Sequence, residues 1–463
     1  MSYATINPYT GQTVATFPDA TDAQVAEALE QAHTTFQAWR QTTFEQRRAV
    51  LTKAAQLLRA DKDALAAILT LEMGKITAEA LAEVELSAKI FEFYAEKAEG
   101  LLAPEPITVK EKSTGEAIVV KEPLGVLFAV EPWNFPYYQL ARIAAPQLSA
   151  GNTLVLKHAS NVPQAAARFE KLLLDAGLPV GGFTNLYATR DQIASIIADD
   201  RVRGVALTGS EAAGAVVAQQ AAAALKKSTL ELGGADAFVV LDDADLDKTI
   251  PWAVFGRHWN GGQVCVSSKR MIVVDAVYDE FIKRYTEGVA ALVPGDPFDA
   301  ATTLAPLSSQ KAADDIVAQI ARAVENGATA TQVGDAVPTQ GAFVQPTLLT
   351  GLTEDNPAFY EEFFGPVSLI FHAKDEDDAV RIANDSHFGL GGSVFTTDIE
   401  RGKAVAARID TGMVFVNHPT LVKADVPFGG VKRSGYGREL TDLGLNEFVN
   451  HKVIGVVDID AEF

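Results

Sequence analysis

From Gly125 onward the chain alternates short, unbroken apolar runs with stretches of helical periodicity. The runs 125–133, 152–157, 183–189, 201–209 and 228–234 are separated by segments such as the helical stretch from Pro163 to Ala176. A strand that is apolar on both faces must be covered on both faces. A helix between successive strands brings the next one in parallel. A second series opens at Ala237, with the runs 237–241 and 270–276, and continues to about Val416. The pattern predicts an α/β protein with two parallel-sheet lobes.

The first hundred residues are predicted to be mostly helical. Thr21 and Asp22 stand where a cap belongs, before an apolar stripe of Val25, Leu29, Phe36 and Trp39. Further helix is expected from Phe44 to Met73 and from Ala78 to Leu101. Residues 107–125 alternate apolar and polar side chains around Ser113, Thr114 and Gly115, which reads as a β-hairpin with one wet face. The Ala-rich stretch from Ala212 to Leu225 is interrupted by Gly214, Gln219 and Gln220. It is too short to span a bilayer and reads as a packed helix.

Composition excludes several functions. Of the 463 residues, 39 are Lys or Arg and 60 are Asp or Glu, for a net charge of −21. Clustered cations for nucleic acid or an anionic membrane are therefore not expected. Local charge still permits small anionic ligands. The single cysteine excludes an internal disulfide and a cysteine-based zinc cage, and no metal is expected. No charged start followed by an apolar run opens the sequence, so a cytoplasmic protein is the expectation.

Few residues invite chemistry one by one. Cys265 follows Gly261 and Gly262, whose conformational freedom suits a loop presenting one side chain to a ligand. A free cysteine is more often a small buried hydrophobe. Glu231 ends an apolar run and is either a base raised by burial or a solvated strand end. Asn134 lies between a strand and a helix start, where its amide reads as an oxyanion donor or as an ordinary turn residue. Gly209 and Ser210 precede a helix start suited to an anion, and Lys157 closes a strand on the ligand side of the sheet.

In order along the chain, these pieces resemble the aldehyde dehydrogenase superfamily. The matching motifs are Leu71–Lys75, Pro132–Pro136, Lys157, Gly209–Ser210, Glu231–Gly234, Gly262–Cys265, Glu361–Pro366 and Pro427–Gly430. They cover essentially the whole chain. Lys157–Ser160 and Val431–Leu440 look most like the compact, NADP-preferring succinate-semialdehyde dehydrogenases.

The resemblance implies an aldehyde dehydrogenase-like fold. It places a cofactor-binding domain at 1–103 and 125–231, a catalytic domain at 232–420 and an oligomerisation element at 104–124 and 440–463. It makes Cys265 the nucleophile, Asn134 the oxyanion donor and Glu231 the base that activates water. Trp133, Lys157, Ser160, Gly209, Ser210, Leu232, Glu362 and Phe364 become cofactor-binding residues. Many NAD-preferring relatives have Glu where this chain has Ser160. Its absence removes a repulsion from a 2′-phosphate, so NADP is expected to be preferred, with NAD possible. His158 departs from the usual proline, and residues 417–423 depart from the expected form. Arg142, two helical turns after Asn134, would face the substrate entrance and pair with a carboxylate, with Phe428 beside the substrate. A surface or interdomain salt bridge is the alternative for Arg142.

The expected reaction is oxidation of succinate semialdehyde to succinate by a homodimer or homotetramer. Another short aliphatic or ω-carboxy aldehyde is the alternative substrate. A CoA-acylating enzyme, a cysteine hydrolase and an inactive binding protein on the same scaffold are further alternatives. Glu231 speaks against CoA acylation, because a hydrolytic base is then unnecessary.

Overall fold

The computed structural model describes residues 3–109 and 115–460. Ser113 and Thr114, at the expected hairpin turn, lie outside the described residues. Thr21 caps the first helix, Asp22–Trp39, in a reciprocal capping box with Gln24, and Val25, Leu29, Phe36 and Trp39 form its buried stripe. The expected helix from Phe44 to Met73 is two helices, Phe44–Ala60 and Lys62–Met73. They part at Asp61, whose carboxylate is drawn into an ion pair with Arg168. A long helix, Thr77–Leu101, follows.

The strand–helix alternation builds two sheets. The first has six strands in the order Gly435–Tyr436, Lys227–Glu231, Val202–Thr208, Val126–Glu131, Thr153–His158, Phe183–Asn185. All neighbours are parallel except the first pair, where the chain's last quarter returns to cover the edge. The second sheet has seven strands and draws them from 237–416. Its outer strand Thr329–Gln332 is antiparallel and the others are parallel.

Glu105–Ile107 pairs with Glu116–Pro123, the two arms of the expected hairpin. The C-terminal strand Val449–Val456 adds a third arm to this ribbon. The Ala-rich helix, Glu211–Ala223, buries only Gly214, Val217 and Ala221. It is a surface helix with one packed stripe, because its small side chains offer little apolar area to bury. Among the described residues, no helix is long and apolar enough to cross a membrane.

Candidate active site

In the first sheet the chain runs outward from Val126–Glu131 through Thr153–His158 to Phe183–Asn185. It then returns to the other side of Val126–Glu131 with Val202–Thr208. Such a switch point opens a crevice at the carboxyl ends of the strands. Two cavities occupy it. A wider one of ≈ 630 Å³ is lined by Trp133, Lys157, Ser160 and Thr208. A deeper one of ≈ 270 Å³ is lined by Trp133, Asn134, Gly209, Ser210, Glu231, Leu232, Cys265, Glu362 and Phe364. A third, apolar cavity of ≈ 170 Å³ has walls that include Phe135, Tyr138, Arg142, Trp259, Phe428 and, again, Cys265. The lone thiol thus borders both the crevice and this apolar funnel.

Local backbone geometry puts Cys265 there. Asn260, Gly261 and Gly262 take successive positive φ angles of 52°, 63° and 77°. A Cβ on Gly262 would lie 2.5 Å from the Gly365 carbonyl oxygen, so the loop passes where only glycine fits. Lys269 is fully buried and donates to the carbonyls of Val264 at 2.6 Å and Cys265 at 2.7 Å. It also pairs with Glu362 at 3.1 Å, tying the thiol loop to the crevice wall. Glu362 in turn accepts the Gly234 N–H at 3.0 Å.

Asn134 is fastened to the same loop. Its carbonyl accepts from Lys75 Nζ at 2.9 Å and from Asn260 Nδ2 at 3.0 Å, and its own Nδ2 donates to the Gln263 carbonyl at 3.1 Å. Lys75 is buried in an ion pair with Glu83, whose other oxygen accepts the N–H groups of Tyr137 and Tyr138 at the start of helix Pro136–Ala150. His158 brackets the same segment. Its Nδ1 lies 3.0 Å from the Glu131 carbonyl and its Nε2 3.3 Å from that of Pro136. Burial pushes this imidazole down to about 4, so it is neutral and donates to one of the two.

Electrostatics divides the roles. Burial pushes the Cys265 thiol up to about 12, against the pull of Arg142 and Lys269, so the resting sulfur is protonated. Burial pushes Glu231 up to about 8, opposed by Arg142 and Arg438 and reinforced by the charge of Glu131. A carboxyl group poised there is a fitted general base at neutral to mildly alkaline pH. Burial and the nearby Arg190 push Lys157 down to about 8.

Two of the expected site residues are already engaged by the protein. The Gly209 N–H donates to the Glu231 carbonyl at 2.9 Å. The glycine supplies space there, and Ser210 caps the helix by accepting the Ala213 N–H at 3.3 Å. Arg142 does not stand free at an entrance. It is 1% exposed, forms an ion pair with Glu439 and donates to Thr208 Oγ1 at 2.9 Å and to Tyr138 at 3.2 Å. The Phe428 ring packs 4.7 Å from its guanidinium carbon. A buried salt bridge therefore holds Arg142, and the arginine also lines the funnel beside Cys265.

Sequence reasoning missed Lys269, Arg190 and Glu131. Arg190 begins helix Arg190–Ala198 and lines the wider cavity with Lys157 and Ser160. Its proximity to Lys157 had no signal in sequence. In the unusual segment 417–423, His418 packs on Trp252 with ring centres 4.2 Å apart. Thr420 donates to the buried Asp236 at 2.6 Å, and Val422 reaches the funnel.

A family model described as the aldehyde dehydrogenase family matches residues 1–454. The chain belongs to the aldehyde dehydrogenase family. Among other members, it is 50% identical over 452 residues to a succinate-semialdehyde dehydrogenase [NADP(+)] of Deinococcus radiodurans, covering 98% of this chain and 94% of the relative. It is 44% identical to a probable succinate-semialdehyde dehydrogenase [NADP(+)] of Synechocystis, covering 98% and 100%. The crystal structure of succinic semialdehyde dehydrogenase from Streptococcus pyogenes in complex with NADP+ superposes with a TM-score of 0.96 at 48% identity, over 98% of this chain and 100% of that one. The two-lobed aldehyde dehydrogenase fold expected from the sequence is the fold observed.

Proposed function

We propose that this aldehyde dehydrogenase oxidises succinate semialdehyde to succinate with NADP as the electron acceptor. The observation that carries the reading is the position of Cys265, which lines both the crevice at the strand ends and the apolar funnel. The names of the similar proteins support the choice of substrate and cofactor.

The crevice suits a dinucleotide, since two cavities share Pro132, Trp133 and Thr208 and carry cations at the wider end. Lys157, Ser160 and Arg190 would hold the adenosine end and its 2′-phosphate. Ser210 and the helix start behind it would face the pyrophosphate. Glu362, Phe364, Trp133 and Leu232 would hold the nicotinamide end. When bound, the cofactor accepts hydride from the carbon joined to sulfur.

The rest of the chemistry belongs to the chain. Ionised Glu231 takes the Cys265 proton, and the thiolate attacks the aldehyde carbon. The carbonyl π pair moves to oxygen, where Asn134 Nδ2 and the Cys265 N–H receive it. One such donor is worth about 3–4 kcal/mol in the transition state. After hydride leaves, Glu231 gives the thiol's proton up to the solvent of the crevice, and the thioester carbon is attacked by a water whose own proton then passes to Glu231. The C–S bond then breaks and the acid departs.

Residues 1–103 and 125–231 act as the cofactor-binding unit, 232–420 as the catalytic unit, and 104–124 with 440–463 as the oligomerisation element. A substrate carboxylate reaching Arg142 through the funnel would share it with Glu439. That prior pairing and the apolar funnel walls favour a second reading, a short neutral aldehyde. An assay of NADPH formation with succinate semialdehyde and propanal separates the two. We expect Cys265→Ala to abolish turnover, and Arg142→Ala to raise KM for succinate semialdehyde far more than for propanal. Equal effects on both KM values would favour the neutral aldehyde. No NADPH with any aldehyde would overturn the reading.

A further inference from the structure

Glu131 and Glu231 end strands of the first sheet that are separated by a single strand. Val130 pairs with Leu207, Leu207 with Leu230, and one step on Thr208 pairs with Glu231. Glu131 follows Val130, so Glu131, Thr208 and Glu231 form one row on one face of the sheet. Strands lie about 4.8 Å apart, which puts the two glutamates roughly 10 Å apart at Cα. Each is 3% exposed. Among the described residues the Glu231 carboxyl oxygens have no hydrogen-bond partner, and Glu131 has only the Thr208 hydroxyl beside it. Two buried carboxylates in one row with so few partners are costly if both are ionised.

The charges around them do not compensate. Arg142 reaches the row through Thr208 but is paired with Glu439, so three carboxyl groups face one guanidinium. From the C-terminal segment, Arg438 and Glu447 face Glu231 with opposite signs. On the neighbouring strand, His158 meets the Glu131 carbonyl and is neutral. Cys265 and Tyr138, close to Arg142, are protonated.

We propose that Glu131 and Glu231 share one proton, with Glu131 acting as a positioning residue that loads and unloads the general base. The proposal rests on reading Glu231 as that base. When the shared proton sits on Glu131, Glu231 is ionised and ready. Glu231 gains a proton as the O–H bond of the attacking water breaks. Glu131 then releases its own proton into the wider cavity, whose wall it forms, and takes up the proton from Glu231. Thr208, between them, lines both cavities. Burial pushes both carboxyl groups upward, in keeping with a pair that resists double ionisation.

The pH profile of kcat tests this. The wild-type enzyme should gain activity with rising pH in two ionisations. Glu131→Gln should leave a single ionisation, roughly one pH unit below the upper wild-type step, as expected for a like charge about 10 Å away. Infrared spectra supply a second measurement on the full-length protein, taken between the two steps. The protonated-carboxyl band should weaken in both Glu131→Gln and Glu231→Gln, while other buried carboxyl groups cancel in the difference from wild type. A single wild-type ionisation that Glu131→Gln leaves in place would overturn the proposal. So would a band that survives intact in Glu231→Gln, a spectrum that remains decisive if Glu131→Gln does not fold. Full activity in Glu231→Gln would instead remove the base on which the proposal rests.

Discussion

Ser160 lies in the same cavity as Lys157 and Arg190, and we propose that cofactor choice turns on the sign of this one side chain beside two cations. A carboxylate about 4 Å from a 2′-phosphate would repel it by about 4 kcal/mol at an effective dielectric of 20. Solvent in the open crevice screens part of this. We expect Ser160→Glu to lower kcat/KM for NADP by roughly 10²-fold while that for NAD changes several-fold at most. Steady-state kinetics with both cofactors checks it. An equal loss with each would remove Ser160 from the 2′-phosphate site. Lys269 illustrates the same economy of charge. One buried ammonium holds two carbonyls of the Cys265 loop and the carboxylate of Glu362, and so couples nucleophile position to the crevice wall.

The Asn260–Gly262 turn is the element that sets the position of Cys265, the proposed nucleophile. Three left-handed residues in succession are rare because an L side chain there meets its own backbone. At Gly262 the Gly365 carbonyl adds an external wall. Gly262→Ala should therefore move the turn and carry Cys265 with it. A displacement of about 1 Å costs on the order of 10²-fold in rate. We expect kcat to fall by about that factor, with a lower thermal midpoint. An unchanged kcat would show that the loop position does not govern the thiol. The facing element, the start of helix Pro136–Ala150, is pinned more diffusely, by Glu83, Lys75 and His158 together.

Across the whole molecule, the three-stranded ribbon is the part that does not close on itself. Val453 is 62% exposed, Ile454 44% and Val456 66%, and neighbouring residues in a strand point to opposite faces. Apolar side chains are thus uncovered on both faces of a ribbon that a monomer leaves in water. A second copy of the chain is the occupant we expect. Light scattering at micromolar concentration should give a dimer or tetramer, and Val453→Asp with Val456→Asp should shift it towards the monomer. A single-chain mass for the wild type would contradict this.

Local pattern was enough for the fold class. Runs apolar on both faces and the helices between them leave few alternatives to covered parallel sheets, and the first helix and its cap at Thr21 follow from the same local physics. The motif order marked the stretches that meet at the crevice, including those of Cys265, Asn134 and Glu231. What stayed hidden were partners. Nothing near Arg142 announces Glu439, and nothing near Lys269 announces Glu362. Only sheet register aligns Glu131 with Thr208 and Glu231. Periodicity, caps and glycine turns act over a few residues, so they can be read along the chain. Ion pairs, desolvation and register join residues far apart in sequence, and only packing decides which of them meet.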